Sequence, residues 1–290
     1  AKNPYCPWKM PSSAYSSFEL QSYTDVGLWY DQRFGGAAPI NATIADDTAR
    51  KLRQAYFAAV SHMDDEVGRL LQALRRHGLW DSTIVCLWGD HGFKLGDHGG
   101  WAKHDNWHID TLVPLLFYVP GVTFGGFADG IVESIDIFPT LYDAAGLGEV
   151  PECPQSQPWR RSWCTEGKSF MPLASNPSMA WKNMAMSQWP RPGGNQPTSM
   201  GYSITTADNF RMAAWVHVDV SSHAIDFKIE LGNFELYDHV HDPSETVNLA
   251  YNNYHGASRL QPWQSDSKLA VLYLELQHAV SASAAAWPFF

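Results

Sequence analysis

One stretch of the chain concentrates chemically useful side chains. Gly89-Asp90-His91-Gly92-Phe93-Lys94-Leu95-Gly96-Asp97-His98-Gly99-Gly100-Trp101-Ala102-Lys103-His104 sets Asp90, His91, Asp97, His98 and Lys103 among five glycines. Glycine lets a backbone turn tightly and approach an ion or an oxyanion closely. An aspartate followed directly by a histidine places a carboxylate and an imidazole together, where both can reach one cation. Lys103 can then neutralise a sulfate or phosphate oxygen as a point charge. These residue types match known metal-ligand preferences only in part. A polar, glycine-rich segment after a strand is also often just a loop. His98 is as well suited to bonding backbone as to touching substrate, and His104 and His108 have weaker claims still.

The neighbouring elements explain why this loop would sit at a binding site. Thr83 to Trp88 is a short continuous apolar run, which reads as a buried strand leading into the loop. Ligands in open α/β sheets gather at the carboxyl ends of strands. Before it, Leu52, Tyr56, Ala59, Met63, Val67, Leu70 and Leu74 recur at helical spacing. Asp46 and Asp47 offer N-caps to this helix, and Gly78 ends it. Leu115 to Val119 reads as a second buried strand closed by Pro120-Gly121. Ser134 caps a helix from Ile135 to Ala145 that contains Pro139 and stops at Gly146. Helix, strand, loop, strand, helix is the rhythm of an α/β sheet with helices packed on it.

The flanking regions differ. Residues 1–45 are rich in Pro, Ser, Tyr and Gly and read as an irregular segment. Pro, Ser, Trp and Gly dominate from about 150 to 200. Strands are then expected over Gly201 to Thr206, Phe210 to Val218 and Phe234 to Tyr237, with Asp208-Asn209 as a turn, and a helix over Ser267 to Val280. The expected division is a main domain over 1–175 and a smaller α+β subdomain, with an antiparallel sheet and a terminal helix, over 176–290.

Composition bounds the function. At 45% hydrophobic and 13% aromatic, the 290 residues can bury a sizeable core. A formal net charge of -10 argues against a general nucleic-acid binder, which needs a basic face. It leaves room for a locally positive pocket and a polyanionic substrate. No stretch approaches the roughly 20 apolar residues of a membrane helix. Cys153 and Cys164 flank a short loop that suits a local disulfide, against two free thiols as the alternative. Cys86 reads as a buried, inert thiol. Asn41-Ala42-Thr43 is a glycosylation sequon, which mildly supports a secretory route.

The segment from Trp88 to Gly121 resembles the second signature region of the formylglycine-dependent sulfatases, and more narrowly of their iduronate-2-sulfatase branch. Asp90-His91-Gly92, Leu95-Gly96-Asp97-His98-Gly99, Trp101-Ala102-Lys103 and Val113-Pro114-Leu115-Leu116-Phe117-Tyr118-Val119-Pro120-Gly121 carry the likeness. It continues in Asp136-Ile137-Phe138-Pro139-Thr140-Leu141, Gln188-Trp189-Pro190-Arg191-Pro192 and Met200-Gly201-Tyr202-Ser203-Ile204. Glu235-Leu236-Tyr237-Asp238 with Asp242-Pro243 is similar to the family's closing motif. The resemblance implies an α/β, alkaline-phosphatase-like core: a partial central sheet flanked by helices, with the smaller C-terminal subdomain. It makes Asp90 and His91 similar to a pair of metal ligands, and Lys103 similar to the lysine that contacts the sulfate. The family metal is usually calcium. His91 stands where the wider family commonly has an amide, and imidazole beside carboxylate also suits zinc, so Zn2+ and Mg2+ stay open beside Ca2+.

The family nucleophile is a formylglycine made within a Cys/Ser-x-Pro-x-Arg motif. Cys6-Pro7-Trp8-Lys9-Met10 and Cys153-Pro154-Gln155-Ser156-Gln157 do not fit it. The expectation is a chain that lacks the N-terminal half of its own domain and is inactive alone. When full length, it would remove 2-O-sulfate from uronic acids of sulfated glycosaminoglycans or related polysaccharides in a lysosomal or secreted setting. In that reading Lys103 and, more weakly, His98 assist catalysis, and Lys103, His104 and Phe93 contact the substrate. Two alternatives remain: a zinc phosphatase or phosphodiesterase of the same superfamily, and a non-catalytic domain that binds sulfated glycans.

Overall fold

The computed structural model describes residues 5–8, 10, 14, 43–154, 163–191, 198–219, 224–226, 234–250, 271–276 and 278–279. The sequon at Asn41, most of the segment 1–45 and much of the closing helix lie outside these residues.

Helix α1 spans Asp46–Arg76. The capping expectation needs correction: Ala45 is the N-cap and offers no side-chain bond. Asp46 and Asp47 instead lie in the first turn, where their charges complement the helix dipole, as Arg75 and Arg76 do in the last. Gly78 adopts a left-handed φ of 65°, which closes the helix at the expected place. Only Ala49 is fully buried along α1, and Phe57, Val60, Met63 and Leu70 are exposed.

Strands β1 (Val85–Trp88) and β4 (Leu115–Tyr118) pair antiparallel, with Val85 opposite Tyr118 and Trp88 opposite Leu115. Both strands stand where expected, but neither is fully buried: Trp88 is 47% and Leu116 58% exposed. The apolar runs are real, and part of the surface they should face is open among the described residues. Between them lie the short strands β2 (Lys94–Leu95) and β3 (Trp101–Ala102), paired as a small hairpin, and helix α2 (His108–Thr111). Helix α3 (Ile137–Ala144) follows a 3-10 turn over Ser134–Asp136. The cap is a reciprocal pair between Glu133 and Asp136, not Ser134, because a carboxylate reaches further than a serine hydroxyl. Pro139 falls in the first turn, where its missing N–H is no loss. Helix α4 (Met171–Ser175) comes next, and the Cys153–Cys164 disulfide closes a loop before it, with Cα atoms 4.9 Å apart.

The C-terminal part is a five-stranded antiparallel sheet of β5 (Met184–Arg191), β6 (Ser199–Thr206), β7 (Phe210–Asp219), β8 (Ala224–Asp226) and β9 (Phe234–Asp238). Strand β7 is central: β6 pairs along one edge, while β9 and β8 share the other. Three of the strands were legible from alternation. Strand β5 was not, because it carries Pro190, which an edge strand tolerates and a central strand does not. Period-two alternation splits this sheet cleanly. Met200, Tyr202, Ile204, Met212, Ala214, Val216, Phe234 and Leu236 face one side and pack with Leu272, Tyr273 and Leu276 of the helical residues 271–276. Ile204, Met212 and Leu276 have no exposure, and each such side chain contributes about 1.5–3 kcal/mol over leaving it in water. The opposite face carries Arg211, Trp215, Glu235 and Tyr237, all buried, and these side chains hold the loop described next.

Candidate active site

The loop after β1 is anchored by close backbone contacts. Gly89 N–H donates to the Pro114 carbonyl at 3.1 Å and Gly92 N–H to the Asp110 carbonyl at 2.8 Å. A Cβ at position 92 would lie 1.9 Å from the Ile109 carbonyl oxygen, so only glycine permits this approach. His98, Ala102 and His104 all have positive φ (56°, 68° and 83°). Three left-handed non-glycine residues in seven positions mark stored backbone strain, which clusters at functional sites.

Asp90 and His91 face each other at the mouth of a cavity of about 1120 Å³. The Asp90 carboxylate is 84% exposed and its Oδ2 lies 3.4 Å from His91 Nε2. His91 Nδ1 lies 2.8 Å from the Gly92 carbonyl. A carbonyl only accepts, so Nδ1 carries the hydrogen and Nε2 presents its lone pair toward the same space as the Asp90 oxygen. This is a fitting half-shell for a divalent cation. Among the described residues no three His, Cys, Asp or Glu side chains group to hold a metal. The remaining ligands would come from outside these residues.

Lys103 and His104 line the same cavity. Burial, and then Lys103, Lys94, His91 and Arg191, push the His104 pKa below its ordinary value. Of these neighbours Lys103 is the one that no carboxylate pairs among the described residues. Beneath them the charges are matched: Lys94, 1% exposed, donates to both Asp110 oxygens at 2.8 and 2.9 Å, and Arg191 donates to Asp105 at 2.6 Å. Burial raises Asp110 to about 7 against the pull of Lys94. Arg191 also donates to the His104 carbonyl at 2.9 Å, which fixes the backbone next to Lys103.

The polar face of the C-terminal sheet secures the following residues. Asn106 donates to the Gly201 carbonyl, and Arg211 donates back to the Asn106 carbonyl at 3.0 Å. Trp107, Trp215 and Tyr237 all donate to Glu235, at 3.2, 2.9 and 2.8 Å. Arg211 bonds Glu245, and Glu245 accepts the His108 N–H at 3.1 Å and His239 Nε2 at 2.8 Å. Sequence reasoning missed this network. Its only signal in the sequence is charged residues at odd positions of β7 and β9, Arg211 and Glu235.

The structure brings Asp90, His91, Lys103 and His104 to one cavity, with Trp189 stacked on His104 at 5.0 Å. Phe93 and His98 do not line it. Phe93 stacks on Tyr56 of α1 at 4.8 Å. His98 is 3% exposed, packs on Trp107 at 4.3 Å, and burial lowers its pKa to about 4.

A partial α/β core carrying this loop, joined to an antiparallel sheet, is the alkaline-phosphatase-like fold, and the chain belongs to the sulfatase family. The family model described as Sulfatase matches residues 21–147. Within the family the chain is 33% identical over 307 residues to iduronate 2-sulfatase of Homo sapiens, covering 90% of this chain and 54% of that protein. A solved structure in complex with its substrate D-glucosamine-2-N,6-O-disulfate superposes with a TM-score of 0.60 at 25% identity, covering 80% of this chain and 41% of that one. A phosphonate monoester hydrolase from Silicibacter pomeroyi shares the fold, with a TM-score of 0.62 at 18% identity over 94% of this chain and 50% of that one. The chain spans about half the length of the curated relatives it matches.

Proposed function

We propose that the full-length protein is a sulfuric ester hydrolase that removes 2-O-sulfate from uronic acid residues of sulfated glycosaminoglycans or polysaccharides in a lysosomal or secreted setting. The observation that carries this reading is the convergence of Asp90, His91 and Lys103 on one cavity. Members of the family use a divalent metal ion. Here Asp90 and His91 would hold it, calcium by resemblance, and when bound it supplies charge stabilisation at the sulfate oxygens. Lys103 adds its ammonium to the same oxygens. Trp189 and His104 offer ring faces that can flank a sugar. Ser156-Gln157-Pro158-Trp159-Arg160 matches the Ser-x-Pro-x-Arg pattern in residue type and spacing but lies outside the described residues; on this reading the nucleophile is supplied by the part of the relatives' length that this chain does not span. The open apolar surface of α1, β1 and β4 is consistent with being covered by that part. Among the described residues no helix is long and apolar enough to cross a membrane.

The test is sulfate release by the full-length protein from a uronate 2-sulfate disaccharide and from 4-nitrophenyl sulfate, beside 4-nitrophenyl phosphate. Sulfate is expected to be the preferred ester, and Lys103→Ala should lower kcat by about 10²–10³, as loss of one oxyanion-stabilising group does. Preference for phosphate would shift the assignment to the phosphatase branch. Glycan binding without turnover would leave a binding domain.

A further inference from the structure

The hairpin that leads into Lys103 has only two cross-strand pairs, Lys94 opposite Ala102 and Leu95 opposite Trp101. So small a two-stranded unit is not stable by itself and needs anchors from outside. Its backbone also carries strain, since Ala102 adopts a left-handed φ of 68°. On one side Lys94, 1% exposed, is held by the Asp110 carboxylate. On another, α1 meets the hairpin.

Arg53 and Tyr56 stand three residues apart on α1 and share a face. Tyr56 stacks on Phe93, just before β2, at 4.8 Å. Arg53 Nε–H donates to the Leu95 carbonyl at 2.8 Å, and its guanidinium lies over the Trp101 ring at 5.5 Å from the ring centre. Leu95 and Trp101 are partners in the hairpin, so one side chain grips both strands at the same rung. A planar guanidinium can bond a carbonyl through Nε while lying over an indole, and an ammonium cannot do both. Trp101 is 4% exposed, which makes this rung a fixed point just before Lys103. The next fixed point follows directly, where Arg191 donates to the His104 carbonyl at 2.9 Å. Lys103 is therefore strung between two guanidinium anchors, one from α1 and one from β5, while it lines the cavity.

We propose that Arg53 is a positioning residue for Lys103: by locking the Leu95–Trp101 rung to α1, it sets where the Lys103 ammonium stands in the cavity. The inference rests on the sulfate-ester reading above and adds to it a residue that does not line the cavity and acts through one that does.

The test is a double-variant cycle in the full-length protein, read by two measurements. One is the affinity for inorganic sulfate, titrated by tryptophan fluorescence because Trp88 and Trp189 line the cavity. The other is kcat for 4-nitrophenyl sulfate. Arg53→Met keeps apolar length and removes the donor and the charge. It should weaken sulfate binding about fivefold and lower kcat about tenfold, the scale of a weakened charge-assisted contact and of a small misplacement of a reacting group. In a Lys103→Ala background the same change should cost less than about twofold in either measurement, because the group it places is gone. Arg53→Lys keeps a donor for the Leu95 carbonyl and should fall between wild type and Arg53→Met. Equal fold losses in the two backgrounds, or wild-type values in Arg53→Met, overturn the proposal, as does a wild type that binds no sulfate. Should Arg53→Met fail to fold by circular dichroism, Arg53→Lys runs the same cycle under the same criteria. Sulfate release is scored separately: a wild type that binds sulfate and shows the cycle in affinity, yet turns nothing over, sinks the hydrolase reading and leaves the role of Arg53 standing.

Discussion

Arg211 offers the sharpest test of how the site is held. It is one of the largest fully buried side chains, and it bonds Glu245, neighbours Glu235 and donates to the Asn106 carbonyl at 3.0 Å. Burial opposes its charge, and Glu245 and then Glu235 more than restore it, so its pKa stands above the ordinary value. Arg211→Met keeps length and apolar contact but leaves two buried carboxylates without their cation. Breaking a buried pair from one side costs about 3–5 kcal/mol. Against a typical total stability of about 5–15 kcal/mol, that is a large fraction. Urea denaturation followed by tryptophan fluorescence reads it directly, because Trp107 and Trp215 both bond Glu235 in this network. Arg211→Met with Glu245→Gln removes one of the orphaned charges as well, so the double variant should be less destabilised than the sum of the two single ones. A loss under about 1 kcal/mol for Arg211→Met, or simple additivity in the double variant, would refute the reasoning.

Two further outcomes are expected. Burial holds His98 at about 4, below its ordinary 6.5, so the unfolded chain takes up the proton first as pH falls. Stability is therefore complete above about pH 6.5 and is lost progressively down to about 4, by on the order of 3 kcal/mol for this one group. His98→Asn, which tolerates the positive φ, should flatten the part of the pH slope that His98 supplies in urea midpoints measured at several pH values; an unchanged slope would count against it. Gly92→Ala drives a Cβ toward the Ile109 carbonyl at 1.9 Å while the Gly92 N–H bond to Asp110 resists movement. A loss of about 2–3 kcal/mol or more should appear as a lowered thermal midpoint, and a midpoint within a degree of wild type would show that the loop is free to shift.

Local physics made much of the first half legible. The spacing of Leu52, Tyr56 and Val67 and the stop at Gly78 gave α1, because helical period and a left-handed terminator are properties of neighbouring residues. Its capping was misjudged because Asp46 and Asp47 serve the dipole equally well one position inside the helix. The apolar runs of β1 and β4 were visible, but the uncovered surface beside Trp88 and Leu116 was not, since exposure depends on what packs from elsewhere. Asp90, His91 and Lys103 were found by type and spacing within one loop. Glu245, 137 residues from the His108 N–H it accepts, could not be found that way. Its claim on the site exists only once β7 and β9 turn their odd-numbered face toward the loop. Asp238-His239 is the same arrangement seen from the other side: an acid and an imidazole at the end of a strand, with the imidazole's chemistry set by a carboxylate six residues on.

Charge pairing inside the loop explains why Lys103, rather than its neighbours, is the cation available to a ligand. Lys94 is buried against Asp110 and near Asp105, and Arg191 is taken by Asp105. Those pairs are shielded from water, so they hold the backbone on both sides of Lys103 without offering their charge to the cavity. Among the described residues no carboxylate pairs with Lys103, which stands between two left-handed residues, Ala102 and His104. The Arg191 bond to the His104 carbonyl and the Lys94 pair hold the backbone here, and Lys103 lines the cavity. An anion entering beside Asp90 and His91 therefore meets the Lys103 ammonium next to His104, whose pKa burial and then Lys103 push below its ordinary value. On the sulfate-ester reading proposed above, that preorganisation would let the loop meet a sulfate oxygen without first rearranging.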